Sequence, residues 1–383
     1  MDFALTSEQE LVRDAAREFA RREVAPHARD WDRAEEIDRE LVPKLASAGY
    51  LGAGWQEAYG GSGLDMVSYA LVVEELGKAD SSVRGIVSVN VGLVGKTIAR
   101  FGSEEVKREW LPRLASGDAL GCYALTEPGC GSDAAALATR AEREGGGWRL
   151  SGSKTFITLG TWSAVALVFA RTGESGPRGI SAFLVPTDSE GFEARPIKGK
   201  LGLRAQDTAE LSLDGVAVGD ENRLGELGHG FRVAMSALDT GRISLAAGCV
   251  GIAQGCVDSS IAYAKERQAF GRPIAGFQLV QELIAETAVE TEAARLLVWR
   301  AASLADAAVQ HTLESSVAKL YASEVSVRAA NNAVQVFGGY GYVDEYPVGK
   351  YLRDARVTTL YEGTSQIQKL IIGRALTGEA AFT

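Results

Sequence analysis

Three histidines and four cysteines in 383 residues leave little material for metal or redox chemistry carried by the chain itself. His27, His229 and His311 stand far apart without metal-ligand spacing, so neither a zinc nor a di-iron site is expected. Cys122, Cys130, Cys249 and Cys256 form no CxxC pair and read as reduced, buried thiols of a cytoplasmic protein. Positive charge is also scarce: 40 Lys and Arg against 50 Asp and Glu give a net −10. No dense basic run offsets it, and no nucleic-acid partner is expected. The N-terminus is acidic, with Asp2, Glu8 and Glu10, where a signal peptide would be basic. No uninterrupted apolar stretch approaches the ~18 residues that cross a bilayer, so no membrane association is expected. The remainder is ordinary for a soluble protein, 46% hydrophobic and 23% charged, and long enough for two or three domains.

Helical patterning dominates the first third. Ser7 and Glu10 suit a capping box ahead of the stripe Leu11, Val12, Ala15, Ala16 and Phe19. Helices are expected near 39–48 and 66–76, separated by the breaker Gly60, Gly61, Ser62, Gly63. From 121 to about 225 the chain has short β-branched and aromatic runs between Gly, Asp and Pro. Residues 164–170 and 180–186 suit buried strands, and Gly145, Gly146 and Gly147 suit a hairpin. With no helices between these strands, an antiparallel barrel or sandwich is expected. After Gly230 long amphipathic helices return, carrying Val280, Ile284 and Ala288, then Leu313, Val317 and Leu320. A four-helix bundle with apolar surface buried between subunits follows. The fold class is therefore α+β multidomain: helices over 1–120, β over 121–230 and a bundle over 231–383.

Two motif-like stretches carry nothing. Gly92 to Thr97 resembles the end of a P-loop, but Asn90 holds the first glycine position and no strand precedes it. Gly129 and Gly131 begin a dinucleotide fingerprint, but the third glycine position is Ala134 and there is no βαβ unit. More telling is Glu362, between Tyr361 and Gly363 and just before Thr364 and Ser365, both suitable N-caps for an apolar helix. A carboxylate on such a turn can be aimed into a cleft while neighbouring N–H groups stay free for an anion or carbonyl. The local sequence equally suits a solvated carboxylate beside a helix start.

Five segments occur in one order: Tyr123 to Asp133, Lys154 to Thr158, Leu238 to Arg242, Glu266 to Gly271 with Gln278 and later Gln335 to Gly339, and Tyr361 to Gln366. In these the chain resembles the flavin-dependent acyl-CoA dehydrogenases over essentially its whole length, and is most similar to their short-chain, butyryl-type branch. Leu238 to Arg242, Tyr340 to Val343 and Tyr351 to Arg356 carry the closer likeness. The resemblance implies a helical, β and four-helix-bundle architecture, usually tetrameric, with FAD at domain and subunit junctions.

By position, it implies that Tyr123, Leu125 and Thr126 hold one side of the flavin while Phe156, Ile157 and Thr158 cover the other. Gly131 allows close approach, and Ser132 faces flavin and acyl-CoA alike. Arg267 would pair with the pyrophosphate, with Phe270, Gln278, Gln335, Gly338 and Gly339 completing the dinucleotide site, partly from a neighbouring subunit. Thr364 and Gln366 would touch FAD; Asp239, Arg242, Tyr361 and Gly363 would contact substrate. Asp239 and Arg242, spaced i, i+3, could also simply pair on one helix face.

The implied reaction is α,β-dehydrogenation of a short- to medium-chain or branched acyl-CoA, with Glu362 as α-proton base and an electron-transfer flavoprotein as acceptor. Some branches place the base just before the arginine of the long helix; that position is Gly241, which leaves Glu362. Phe156 and Cys130 depart from the residues more usual at their positions. A biosynthetic dehydrogenase of an unusual acyl thioester, a same-fold monooxygenase and a non-catalytic flavoprotein stay open as alternatives.

Overall fold

The computed structural model describes residues 3–381. The N-terminal layer comprises α1 (Ser7–Phe19), α2 (Ala28–Ala34), α3 (Leu41–Ser47), α4 (Met66–Ala79), α5 (Ser81–Val87), α6 (Lys96–Phe101) and α7 (Glu104–Ser116). The capping box lies one residue earlier than expected: the Thr6 hydroxyl accepts from the Gln9 N–H, and the Gln9 side chain accepts from the Thr6 N–H. Residues 88–95, including the P-loop-like glycines, continue α5 as a buried π-helical stretch.

Eight strands follow: β1 (Gly121–Ala124), β2 (Arg140–Glu144), β3 (Gly147–Thr158), β4 (Val165–Arg171), β5 (Ile180–Pro186), β6 (Phe192–Pro196), β7 (Thr208–Gly219) and β8 (Arg223–Leu224). Their order is β6-β7-β3-β2-β4-β5-β8, with β1 beside β4. Most pairs are antiparallel, and β2 and β3 form the hairpin expected at Gly145 to Gly147. The purely antiparallel expectation needs correction: β1 runs parallel to β4, Gly121 opposite Val165 through Ala124 opposite Val168. β1 enters directly from α7 and the β2–β3 hairpin intervenes before β4, so no tight turn dictates its direction.

The C-terminal layer comprises α8 (Gly230–Glu266), α9 (Gln278–Asp306), α10 (Thr312–Phe337), α11 (Val348–Thr358) and α12 (Ser365–Thr377). Together the layers form the succession of helices, sheet and helical bundle expected from the sequence. α8 packs against α4, α9 and α10, and α10 also against α11 and α12. The approach of α8 to α4 is close enough to require small residues: a Cβ at Gly251 would lie 2.2 Å from the Glu74 carbonyl oxygen. By length and composition α8 alone among the described helices could cross a bilayer, but most of its apolar window is buried in the protein, as a core helix requires. Cys122, Cys249 and Cys256 are buried as expected, whereas Cys130, on the loop after β1, is only half-buried.

Candidate active site

Glu362 occupies the turn between α11 and α12 with φ +54°, followed by Gly363 at φ +89°. Left-handed backbone is costly for a residue with a Cβ, by about 1–3 kcal/mol, so the surroundings must hold it. Lys319 on α10 donates to the Gly363 carbonyl at 2.7 Å. Gln368 on α12 donates to the carbonyls of Glu362 and Gly363, each at 3.1 Å. Thr364 caps α12, its hydroxyl accepting from the Ile367 N–H at 3.2 Å, and Ser365 donates to Glu324 at 2.6 Å. The turn is thus clamped from two helices, and the Glu362 N–H enters no hydrogen bond among the described residues.

The carboxylate points at α8. A Cβ built on Gly241 would lie 2.5 Å from Glu362 Oε2 and 2.7 Å from Leu93 Cδ2. The two positions from which a base could come therefore converge on one point in space, and the absence of a side chain at 241 makes room for Glu362. Oε2 is buried without a hydrogen-bond partner. Burial pushes the Glu362 carboxyl up to about 7, against the opposing pull of Arg84, Lys319 and Arg242. Burial likewise brings the Lys319 ammonium down to about 8. An unpartnered carboxylate with a raised pKa is poised to take a proton near neutrality.

Around it, Tyr123 on β1 donates to the Ala234 carbonyl of α8 at 3.2 Å and stacks obliquely on Phe169. Arg242 is buried, pairs with Asp239 at 2.8 Å and leaves its Nε unsatisfied. The other Asp239 oxygen accepts from Thr312 at 2.7 Å, so within the chain these two residues do pair on one helix face. The Tyr361 hydroxyl accepts from Arg84 at 2.7 Å.

The sheet supplies a second wall. Lys154 is wholly buried and donates to the carbonyls of Leu125 (3.2 Å) and Phe169 (2.7 Å) and to Glu127 (2.8 Å). Glu127 in turn accepts from the N–H groups of Ala138 and Thr139 at 2.6 and 2.9 Å. This pair fixes the loop that carries Leu125, Thr126, Gly131 and Ser132. Thr126 accepts the Thr155 N–H at 3.0 Å, while Gly131 and Ser132 are exposed. A β3 bulge between Lys154 and Ile157 turns Phe156 to φ +57° and leaves its ring 68% exposed. Ile157 is buried beneath it, and Thr158 accepts from Gln206 at 3.1 Å.

The remaining expected residues gather elsewhere. Arg267, Gly338 and Gly339 line a groove of about 650 Å³ with Tyr263, Phe337 and Tyr340. That lining includes neither Glu362 nor the residues packed around it. Phe270 is 96% exposed on the adjacent 268–273 hairpin, and Gln278 and Gln335 are exposed at helix ends. Gln366 is exposed on the first turn of α12. Arg84, Lys319, Gln368 and Lys154 have structural or electrostatic parts here that sequence reasoning did not assign. A lone arginine in the apolar run 83–91 and a lone lysine on the Ala318–Ala322 face of α10 were the available signals.

Comparison with known proteins agrees over the whole chain. The N-terminal, middle and C-terminal domain families of acyl-CoA dehydrogenase match residues 6–118, 122–216 and 228–377. The short-chain specific acyl-CoA dehydrogenase of Clostridium acetobutylicum is 43% identical over 373 residues, 97% of this chain and 98% of its own. Butyryl-CoA dehydrogenase from Megasphaera elsdenii superposes with a TM-score of 0.96 at 40% identity, covering 98% of this chain and 100% of that one. A glutaryl-CoA dehydrogenase from Mycobacterium smegmatis in complex with FADH2 gives 0.94 at 37% identity, covering 99% and 97%. The chain belongs to the acyl-CoA dehydrogenase family, whose members are FAD-dependent oxidoreductases. The cofactor suits the residues present: Phe156 offers an outward ring, and Cβ atoms at Gly129, Gly131, Gly338 and Gly339 would meet nothing within 4 Å.

Proposed function

We propose that the protein dehydrogenates a short- to medium-chain or branched acyl-CoA to the trans-2-enoyl thioester, with Glu362 as the α-proton base. The observation that carries this reading is the clamped, buried and unpartnered Glu362 Oε2, seated in the space left by Gly241. FAD, when bound, supplies the acceptor for the β-hydrogen. A thioester α-proton is very weakly acidic, so the carboxylate needs help. The free Glu362 N–H would donate to the thioester oxygen as negative charge develops there, which would lower the barrier to proton removal. The raised carboxyl pKa brings base and acid closer together.

In this reading Tyr123, Leu125, Thr126, Phe156, Ile157 and Thr158 hold the flavin ring. Ser132, Asp239, Arg242, Tyr361 and Gly363 face the substrate, and Thr364 and Gln366 border the cofactor. Arg267, Phe270, Gln278, Gln335, Gly338 and Gly339 serve the dinucleotide of a neighbouring subunit in a homotetramer, which accounts for their distance from Glu362. Exposed Phe270, Leu279 and Val289 support such an assembly. An electron-transfer flavoprotein takes the electrons, in the cytoplasm. The deciding experiment is anaerobic titration of the FAD-loaded protein with butyryl- through palmitoyl-CoA and with isobutyryl- and isovaleryl-CoA. Bleaching of the flavin band is expected with at least one; no bleaching by any would refute the reading.

A further inference from the structure

Gly85 interrupts the buried helix α5, and one side chain from the β layer explains why. A Cβ at Gly85 would meet the Gln206 Oε1 at 2.0 Å, and the next nearest atoms also belong to that side chain. With Gln206 in place only glycine fits, although glycine inside a helix is less favourable than alanine by about 1 kcal/mol. Gln206 lies on the loop between β6 and β7 and is itself buried. From there its Nε2 donates to the Thr158 hydroxyl at the end of β3, at 3.1 Å.

That bond is not needed to fasten the end of β3. The Asp207 carbonyl accepts from the Leu159 N–H at 3.0 Å, and its carboxylate accepts from the Thr161 N–H and hydroxyl at 2.9 and 2.7 Å. Thr208 lies opposite Thr158 in the ladder of β3 and β7. What the Gln206 amide adds is direction. A hydroxyl has one hydrogen to give, and with a lone pair engaged by Nε2 the Thr158 hydrogen turns away from Gln206. Among the described residues it reaches no acceptor, and Thr158 is only half-buried, two residues beyond the exposed Phe156.

We propose that Gln206 is a positioning residue for the cofactor: it orients the Thr158 hydroxyl as a hydrogen-bond donor toward the FAD ring and so raises the flavin reduction potential. This rests on the dehydrogenase reading above, in which Thr158 borders the flavin. A donor held at the ring stabilises the negative charge that reduction places there. Without the amide the hydroxyl turns freely and divides its donation among other acceptors.

The test compares the FAD-loaded wild type with Gln206→Met, which keeps the volume and loses the donor. Bound FAD is counted, and its midpoint potential is read from the flavin absorbance against a dye of known potential. Gln206→Met is expected to keep FAD and to lower the ratio of reduced to oxidised flavin at a fixed potential about tenfold, equal to about 30 mV for a two-electron couple. Gly85→Ala, which displaces the amide without altering it, is expected to shift the potential in the same direction. In a Thr158→Val background Gln206→Met is expected to shift nothing further, because the hydroxyl it acts through is gone. A Gln206 that only packs its loop would lower the thermal midpoint and leave the bound flavin at the wild-type potential. That result, or an equal shift with and without the Thr158 hydroxyl, overturns the proposal while leaving the dehydrogenase reading intact. A wild-type protein that takes up no FAD overturns both. If Gln206→Met fails to fold, Gly85→Ala with and without Thr158→Val decides the matter.

Discussion

Replacing Glu362 with Gln separates the chemistry of this residue from its cost to the fold. The carboxyl stands near pKa 7 in the folded protein against an ordinary 4.5, chiefly because it is buried. Ionising it therefore costs about 3 kcal/mol more in the native state than in the unfolded chain. The sign follows from proton uptake. Between pH 4.5 and about 7 the folded protein holds a proton that the unfolded chain has released, so wild-type stability falls as pH rises through that window. Glutamine mimics the protonated acid and escapes this loss, although its amide finds no partner where Oε2 lies and gives back about 1–3 kcal/mol.

The variant should keep FAD and bind acyl-CoA while losing turnover by about a thousandfold or more. Its thermal midpoint, followed by flavin fluorescence from about pH 5 to about pH 8, should hold level where that of the wild type declines. Wild-type kcat/KM should in turn fall as pH drops below about 7, where the base is protonated. Near wild-type turnover in the variant, or midpoints that run parallel across the pH range, would refute the reasoning.

Other substitutions probe the surroundings. Gly241→Ala should cost about 10–100-fold in kcat with FAD retained, because its Cβ would fall 2.5 Å from Glu362 Oε2; equal kcat would show that the carboxylate lies elsewhere in the working enzyme. Phe156→Ala should weaken FAD about tenfold, measured by equilibrium dialysis, since the ring is exposed and has little of the chain to pack against. Lys154→Met should destabilise the β layer by about 3–5 kcal/mol by leaving Glu127 buried without its cation, and thermal midpoint and FAD content should fall together.

The helix, strand and helix succession was legible because apolar periodicity and glycine punctuation are local signals; strands β4 and β5 fall within a residue of expectation. The direction of β1 was not legible, since pairing between residues as far apart as Gly121 and Val165 leaves no trace in local pattern. The capping box slipped by one residue because Thr6 and Ser7 are both competent caps and side-chain reach to Gln9 decides between them. Cys130 looked like a core thiol by residue type alone, but its place on an irregular loop leaves it half-buried.

Motif order, a glycine at 241 and an acid at 362 were enough for the sequence by itself to single out Glu362 as the candidate base, because residue identity at spaced positions survives without geometry. Only the tertiary structure decided how that base is held and charged. Lys319, Gln368, Arg84 and Gly241 come from different helices, and burial raises the carboxyl pKa against the opposing charges of Arg84 and Lys319. Desolvation and close approach depend on what surrounds a group in space, and no one-dimensional pattern records that.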